Sequence, residues 1–410
     1  MHAALYCTAM NDSREHLPLA GVRVLSMCQF GAGPFATMQL ADLGAEVIKI
    51  EDPEQGGDVG RYVPPFTGDR DSFYFQSFNR NKRSITLNLR VPAAREVLHK
   101  LVAVSDTIYY NLRGDLPRKL GLTYDALGAH NPAIVCCSLS AFGQTGPRAV
   151  EPGYDLLMQG YAGFMSLTGE PGTPPAKCGI SIVDFAGAYA SAIGLLSAVI
   201  KARATGRGGD VDVSLLDTSI SMLNYLAINT LNREYEPERM SGSAHPSLHP
   251  SQVFETADGY VAIICFKEKF WQSLCDVLGR ADLAADPRFR TFADRLANRD
   301  ALLPLIAAGF ATRTTEAWLS VLRGRVPCAP VNSVREALED PQVLARTMVV
   351  EVEHPIWGTL RETGNPIKTA GPEPHHQAAP SLGADTDAVL IELAGYSPAE
   401  IAELRTAGAI

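Results

Sequence analysis

The sequence predicts an α/β fold, with a large Rossmann-like domain built on a parallel sheet and a smaller α+β domain. Three observations lead there. Short apolar runs of strand length alternate with helical patterns through the first 140 residues, the alternation that builds a parallel sheet covered by helices on both faces. A glycine-rich turn, Gly31-Ala32-Gly33, separates the first strand from the first helix. Around Ser241–Pro250 the rhythm breaks into a Gly/Ser/His/Pro loop, and a smaller unit follows. The domains are therefore placed at 1–230 and 235–335, with 336–410 returning to the large domain.

Each element has its own signal. Val22–Leu25 is a short strand, and the helix after it opens at Pro34 and closes at Gly44, residues suited to a first turn and a position just past the end. Val47–Ile50 is the next strand. Ile85, Leu87 and Leu89 alternate with polar residues, as a strand does. Pro92 opens a helix with Leu98, Leu101 and Val102 on one face, and Ile108–Tyr110 and Ala133–Leu139 are further strands. Asp184–Ala204 is a helix of small residues, able to pack closely and so central. Val211–Leu215 is a strand, and Asp217 reads as the cap of the next helix. The smaller unit has a strand near Tyr260–Cys265 and helices at Glu268–Leu278 and Thr315–Leu322, and Gly371–Pro380 reads as an exposed stretch.

Composition narrows the function. The chain has 410 residues, 46% hydrophobic and 20% charged, ample for a large core. Lys and Arg number 36 against 45 Asp and Glu, a net charge of -9 that repels phosphate backbones, so no nucleic-acid partner is expected. The longest uncharged apolar run, Phe185–Ile200, is short of the roughly 20 residues that span a bilayer, and a buried helix is the expectation. Met1–His16 lacks a basic start and a clean apolar stretch, so a cytoplasmic location without a signal peptide is expected. None of the eight cysteines forms a Cys-x-x-Cys pair, which suits reduced thiols, with Cys136 and Cys137 filling core volume.

Several motifs carry chemistry. Gly31-Ala-Gly-Pro-Phe-Ala36 matches a dinucleotide fingerprint, and Glu51 stands where an acid would meet a ribose. A tight strand-to-helix turn explains the same residues equally well, and Pro34 removes an amide donor. Arg80-Asn-Lys-Arg83 reads as a solvated strand edge, while Arg90 and Lys119 are single cations beside loops, able to hold a phosphate. His245 and His249 cannot form a helical metal pair, because Pro246 and Pro250 interrupt them, and no metal site is expected. Neither a hydrolase elbow nor a Walker A motif is present. Asp184, directly before the long helix, reads most simply as its N-cap. In a cleft the same carboxylate, kept ionised by helix N–H groups, is a nucleophile.

Taken together, these residues resemble the class III CoA-transferases, the superfamily of formyl-CoA and carnitine CoA-transferases. The resemblance rests on Ala32-Gly-Pro34 with Ala41-Asp-Leu-Gly-Ala-Glu-Val-Ile-Lys-Ile-Glu51, on Asn81-Lys-Arg-Ser84 and on Asn111-Leu-Arg-Gly114 before Lys119-Leu-Gly121. Phe142-Gly-Gln-Thr-Gly-Pro147, Gly153-Tyr-Asp155, Asp184-Phe-Ala-Gly187, Ala244-His-Pro246 and Val326-Pro-Cys-Ala-Pro-Val-Asn332 continue it. It implies a nucleotide-binding-like domain that takes coenzyme A instead of NAD, and an interlocked homodimer. It implies that Asp184 is the catalytic aspartate, with CoA contacts near Gly31, Ala32, Leu87, Arg90, Asn111, Leu112, Arg113 and Lys119, and Tyr154 lining the same pocket. The expected substrates are an acyl-CoA and a small carboxylic acid, with no tightly bound cofactor.

The superfamily also contains α-methylacyl-CoA racemases, which carry a histidine where this chain has Tyr154. Removing an α-proton needs a base, and tyrosine, with an ordinary pKa near ~10, is a poor one, so transfer is favoured over racemisation. Oxalate- and formate-type members carry a glutamine at the position of Gly31, which argues against oxalate as acceptor. An NAD-dependent dehydrogenase and a non-catalytic CoA-binding subunit are the readings from other classes, and the intact Asp184 argues against the second.

Overall fold

The computed structural model describes residues 16–65, 72–371 and 376–410. The N-terminal segment read for targeting signals, up to Glu15, and Cys7 within it lie outside the described residues. Two compact units are present. One takes the described parts of Met1–Ala162, Gly179–Asn224 and Gln342–Ile410, and the other takes Gly163–Cys178 and Tyr225–Pro341. The second unit thus includes 163–178, a segment that the sequence reading left in the large domain.

The first unit runs β1 (Arg23–Met27), α1 (Ala32–Asp42), β2 (Glu46–Glu51), α2 (Phe73–Asn79), β3 (Arg83–Thr86), α3 (Pro92–Ala103), β4 (Thr107–Tyr110), β5 (Val135–Ser140), α4 (Asp155–Tyr161), α5 (Ile182–Thr205), β6 (Gly209–Ser214) and α6 (Leu215–Met222). All six strands are parallel, in the order β3-β2-β1-β4-β5-β6. This is the doubly wound order, and its crevice opens where the order reverses, between β1 and β4. β4 and β5 are buried throughout, as strands covered on both faces are. One face packs Leu25, Ile48, Ile85, Ile108 and Cys136 against Leu98 and Leu101 of α3. On the other, α5 lies against β5, β6, α1 and α6, and Ser191 on α5 meets the buried Tyr109 hydroxyl at 2.7 Å.

After the second unit the chain forms a hairpin, β10 (Val349–His354) with β11 (Gly358–Thr363), and then two helices, α7 (Thr386–Ala394) and α8 (Pro398–Thr406). Val389, Leu390, Ile401 and Leu404 complete the same core as α3. The second unit holds a three-stranded antiparallel sheet, β7 (Ser251–Glu255), β8 (Tyr260–Ile264) and β9 (Cys328–Pro330). Its helices Glu268–Leu278 and Thr315–Leu322 pack Trp271, Leu274 and Trp318 around Phe310.

Four expectations change. Arg80, Asn81 and Lys82 are buried, not a solvated edge. The Arg80 guanidinium donates to both carboxylate oxygens of Asp42, at 3.0 and 2.6 Å, and to Glu362 and the Thr363 carbonyl of β11. The Lys82 ammonium donates to the Pro34 and Phe78 carbonyls and to Asn79. Asp217 is not a cap, because Ser214 is the N-cap and its hydroxyl accepts from the Asp217 N–H at 2.9 Å. The long helix extends to 24 residues, Ile182–Thr205, long and apolar enough by length and composition to cross a membrane. It is not buried all round, since Ile193 and Ile200 are exposed. Within Gly371–Pro380, residues 372–375 lie outside the described residues. Beyond them the Gln377 N–H donates to Asn81 at 2.7 Å and Ala379 is buried, so the segment is tied down.

Arg80 fastens the hairpin to the sheet domain from within the core, bridging Asp42 of α1 to Glu362 and Thr363 of β11. Arg80→Met should destabilise the protein by about 3–5 kcal/mol, because it strands a buried carboxylate, whereas Arg80→Met with Asp42→Leu should recover much of that loss. Urea denaturation of the three proteins reads the difference.

Candidate active site

The crevice between β1 and β4 contains a cavity of about 480 Å³. Its walls come from the loop after β1 (Gln29–Ala32), the loop after β4 (Asn111–Arg113), the end of β5 (Leu139–Ala141), Glu151–Tyr154, Asp184 on α5 and Leu215 on α6.

The β1 loop is shaped by its neighbours. Phe30 has φ 67°, a left-handed conformation uncommon for an aromatic residue. The Asp58 carboxylate holds it there by accepting the Phe30 N–H at 2.9 Å. Asp58 is itself fixed by the buried Lys49 ammonium at 2.7 Å, which also donates to the Cys28 carbonyl. Asn111 clasps the same loop from β4, accepting from the Gln29 N–H and donating to the Gln29 carbonyl, both at 2.8 Å. Gly33 is required by this closeness, because a Cβ there would lie 2.9 Å from the Asn111 Cγ and 2.8 Å from the Cys28 Sγ. The second glycine of the fingerprint therefore serves loop packing.

Asp184 faces this loop. It is the third residue of α5, in the first turn, so it is not the N-cap the sequence suggested; that position is Ser181, which makes no side-chain capping bond. A Cβ placed on Gly31 would sit 3.4 Å from the Asp184 Oδ2 and 3.2 Å from the Tyr74 hydroxyl. Gly31 has φ -108°, which any residue adopts, so its missing side chain matters because a Cβ would crowd the carboxylate and the Tyr74 hydroxyl. Phe30 packs on Tyr74 at 4.9 Å between ring centroids and edge-on to Tyr154 at 6.4 Å.

The electrostatics of Asp184 reverse the expectation that helix N–H groups keep it ionised. Burial first, and the charge of Asp155 second, push its carboxyl up to about 7. Asp155 is buried and accepts from the Val183 N–H at 2.8 Å and the Asp184 N–H at 3.3 Å. Sequence reasoning missed Asp155 in this role, since it acts across 28 residues of chain. Tyr74, raised by burial and then by the Asp184 and Asp58 charges, stays a neutral hydroxyl.

Of the predicted CoA contacts, Gly31, Ala32, Asn111, Leu112, Arg113 and Tyr154 line one cavity with Asp184. Tyr154 is 64% exposed. Leu87, Arg90 and Lys119 are not part of that lining. The Leu87 side chain is in the core. Arg90, its side chain 59% exposed, pairs with Asp52 at 3.1 Å and with Glu54. Lys119 and Arg113 both bind Asp115, each at 2.6 Å, and those hydrogen bonds hold the Asp115 carboxyl well below the usual carboxylate range. Glu51 is not available to a ribose. Burial raises its pKa, but the Arg61 hydrogen bonds and the Lys49 charge outweigh that and leave it at about 2. It accepts from Arg61 Nε and Nη2, from the Ser84 hydroxyl and from the Asp58 N–H. In the second unit, the His245 Nδ1 accepts from the Ser247 N–H and its ring stacks on Tyr225, and the His249 ring is buried.

A pKa raised in the native state means that the folded protein binds the Asp184 proton more tightly than the unfolded chain. The stabilisation is complete below the unfolded value near 3.8 and is lost as pH rises towards 7. Asp184→Asn removes that loss. The variant should gain stability over wild type by roughly 2–4 kcal/mol more at pH 8.5 than at pH 4. Paired urea melts at the two pH values measure this, and a constant offset between the proteins would contradict it.

Comparison with known proteins agrees with this geometry. The model of CoA-transferase family III matches residues 19–386. The chain is 34% identical over 403 residues to a human succinyl-CoA:glutarate CoA-transferase, covering 98% of this chain and 91% of that protein. It is 36% identical over 386 residues to a succinyl-CoA:mesaconate CoA-transferase of Haloarcula hispanica, covering 92% and 96%. Among solved structures, a CAIB/BAIF family protein from Brucella suis superposes with a TM-score of 0.79 at 35% identity, over 92% of this chain and 99% of that one. The doubly wound sheet, the crevice with its first-turn aspartate and these matches together place the chain in CoA-transferase family III.

Proposed function

We propose that this enzyme moves coenzyme A from a small dicarboxylic acyl-CoA to a second dicarboxylic acid, with Asp184 as covalent carrier. The observation that carries the proposal is a half-buried carboxylate, its pKa raised to about 7, at the wall of the switch-point cavity, with the side-chain-free Gly31 close against it. Such a carboxylate is more basic than an ordinary one, and therefore more nucleophilic, yet substantially ionised at neutral pH. The human and Haloarcula relatives are named for succinyl-CoA with glutarate and with mesaconate, which supports dicarboxylic partners here.

The steps balance without an outside energy source. An Asp184 oxygen attacks the acyl carbonyl, the C–S bond breaks, and the electron pair leaves with sulfur as CoA thiolate. The thiolate attacks the aspartyl carbonyl of the resulting anhydride and expels the donor acid as its carboxylate, leaving an aspartyl–CoA thioester. The acceptor carboxylate attacks that thioester and releases the thiolate again. The thiolate then takes the new acyl group and frees Asp184. The Ala32 and Gly33 amides in the first turn of α1 have no intrahelical acceptors and suit an oxyanion, whereas Pro34 has no N–H.

CoA is assigned to Gly31, Ala32, Asn111, Leu112 and Arg113 in the cavity, with Tyr154 beside the acyl group. Leu87 contributes backbone only, and Arg90 and Lys119 reach phosphates by exchanging their carboxylate partners for them. The exposed apolar residues Ile193 and Ile200 of α5 support a homodimer in which a second copy covers them, in keeping with the interlocked assembly.

Asp184→Asn should remain folded and lose transfer by at least a thousandfold, since an amide forms no anhydride. Wild type treated with acyl-CoA and then hydroxylamine should carry a mass tag on the peptide containing Asp184. A folded variant with near-normal turnover sinks the mechanism. For the assembly, the native mass should be twice the 44.1 kDa of one chain at all assay concentrations, and a monomer by light scattering rejects the dimer.

A further inference from the structure

We infer that Asp155 is the positioning residue of this reaction: it holds the first turn of α5 from outside the helix and sets a second carboxylate beside the nucleophile. The inference rests on Asp184 as covalent carrier, and its test is separable from that reading.

The first turn of any helix presents amides with no intrahelical acceptor. In α5 the residue placed to cap them, Ser181, offers no side-chain bond. Asp155, the first residue of α4, supplies it instead. Its Oδ1 accepts from the Val183 N–H at 2.8 Å and the Asp184 N–H at 3.3 Å, while its Oδ2 accepts from Gln159 one turn further along α4 at 2.6 Å. Asp155 is only 7% exposed and Gln159 is fully buried. The carboxylate is thus oriented from one helix and grips the backbone of another at the nucleophile itself. The adjacent Tyr154 turns its ring into the cavity, so two successive residues serve the substrate side and the support side of one site.

The second consequence is charge. Around Asp184 stand Asp155 from α4, the Tyr74 hydroxyl from α2, Asp58 behind Tyr74, Tyr154 at the start of α4, and Arg113 from the loop after β4, which is already paired with Asp115. Within the first turn of α5, Asp184 is the one acidic residue. Asp155 is therefore the charge that acts directly on it. Two neighbouring carboxylates repel, and acylation of Asp184 relieves the repulsion, because the negative charge departs with the thiolate. Asp155 thereby favours the attack in the ground state as well as fixing its direction.

Two variants separate position from charge. Asp155→Asn keeps an oxygen for the Val183 and Asp184 amides and removes the charge, and Asp155→Ala removes both. Two measurements apply: the titration midpoint of the Asp184 carboxyl by carbon-13 NMR of aspartate-labelled enzyme, assigned with Asp184→Asn, and the single-turnover rate of adduct formation against pH by intact mass. The Asn variant should lower the midpoint by about one unit or more, move the acid limb of the adduct rate with it, and slow the plateau several-fold. The Ala variant should lose at least tenfold in adduct rate at every pH. Unchanged midpoint and rate in both variants overturn the inference, as does an Asn variant as slow as Ala with its midpoint unmoved, which is the behaviour of a plain helix cap. The carbon signal is read on the free enzyme, so it reports on the Asp184 carboxyl whether or not that residue goes on to form an adduct. A wild type that titrates near 7, shifts in the Asn variant and carries no adduct refutes the covalent mechanism and leaves the charge coupling demonstrated.

Discussion

A buried ion pair at the end of the second strand governs the site. Lys49 and Asp58 meet at 2.7 Å with both side chains almost fully removed from solvent. Such a pair contributes little net stability, since desolvation offsets most of the attraction, but it strongly penalises any arrangement that separates the charges. Asp58 spends its other oxygen on the N–H groups of Phe30 and Gly60, so one loop is held left-handed and another is brought against it. Glu51 and Arg61 form a second buried pair nearby, and the Glu51 carboxylate accepts the Asp58 N–H, which joins the two pairs in one network. Gly31 faces Asp184 because the residue before it has no freedom to turn elsewhere.

From the other side, the site is held by hydrogen bonds to backbone. Asn111 grips Gln29 and Asp155 grips Val183 and Asp184, each reaching from a different element. The crevice is consequently held from two sides where Asp184 meets the loop after β1, while Arg90 and Lys119, outside its lining, are exposed and paired with carboxylates.

What could be read from the sequence followed from locality. Strands and helices declared themselves by period, and the helix Glu268–Leu278 ends where its sequence says, with Gly279 left-handed after it. The pairing of Asp115 with Lys119 was missed although the two stand only four residues apart, because Lys119 was read as a single cation beside a loop. Arg80 was misread because its partners, Asp42 and Glu362, are 38 and 282 residues away, and a charge run with no local acid looks solvated. Asp184 was misplaced as a cap because Asp is a favoured capping residue, whereas the acid that serves the turn comes from another helix. The left-handed Phe30 has no local signal at all, since Asp58 imposes it.

The core beneath the sheet draws on Leu25 and Ile48 near one end of the chain and on Leu390 and Leu404 near the other, with the second unit inserted between them. On the ribosome this order matters. The stretch Tyr225–Pro341 supplies most of the second unit and emerges while the sheet still lacks its last two helices. The apolar faces of Ile85 and Leu98 must wait for them, exposed to water and to other nascent chains. Long-range closure of this kind is slow and aggregation-prone, so the order of synthesis leaves open, for a time, an apolar surface that the finished core conceals.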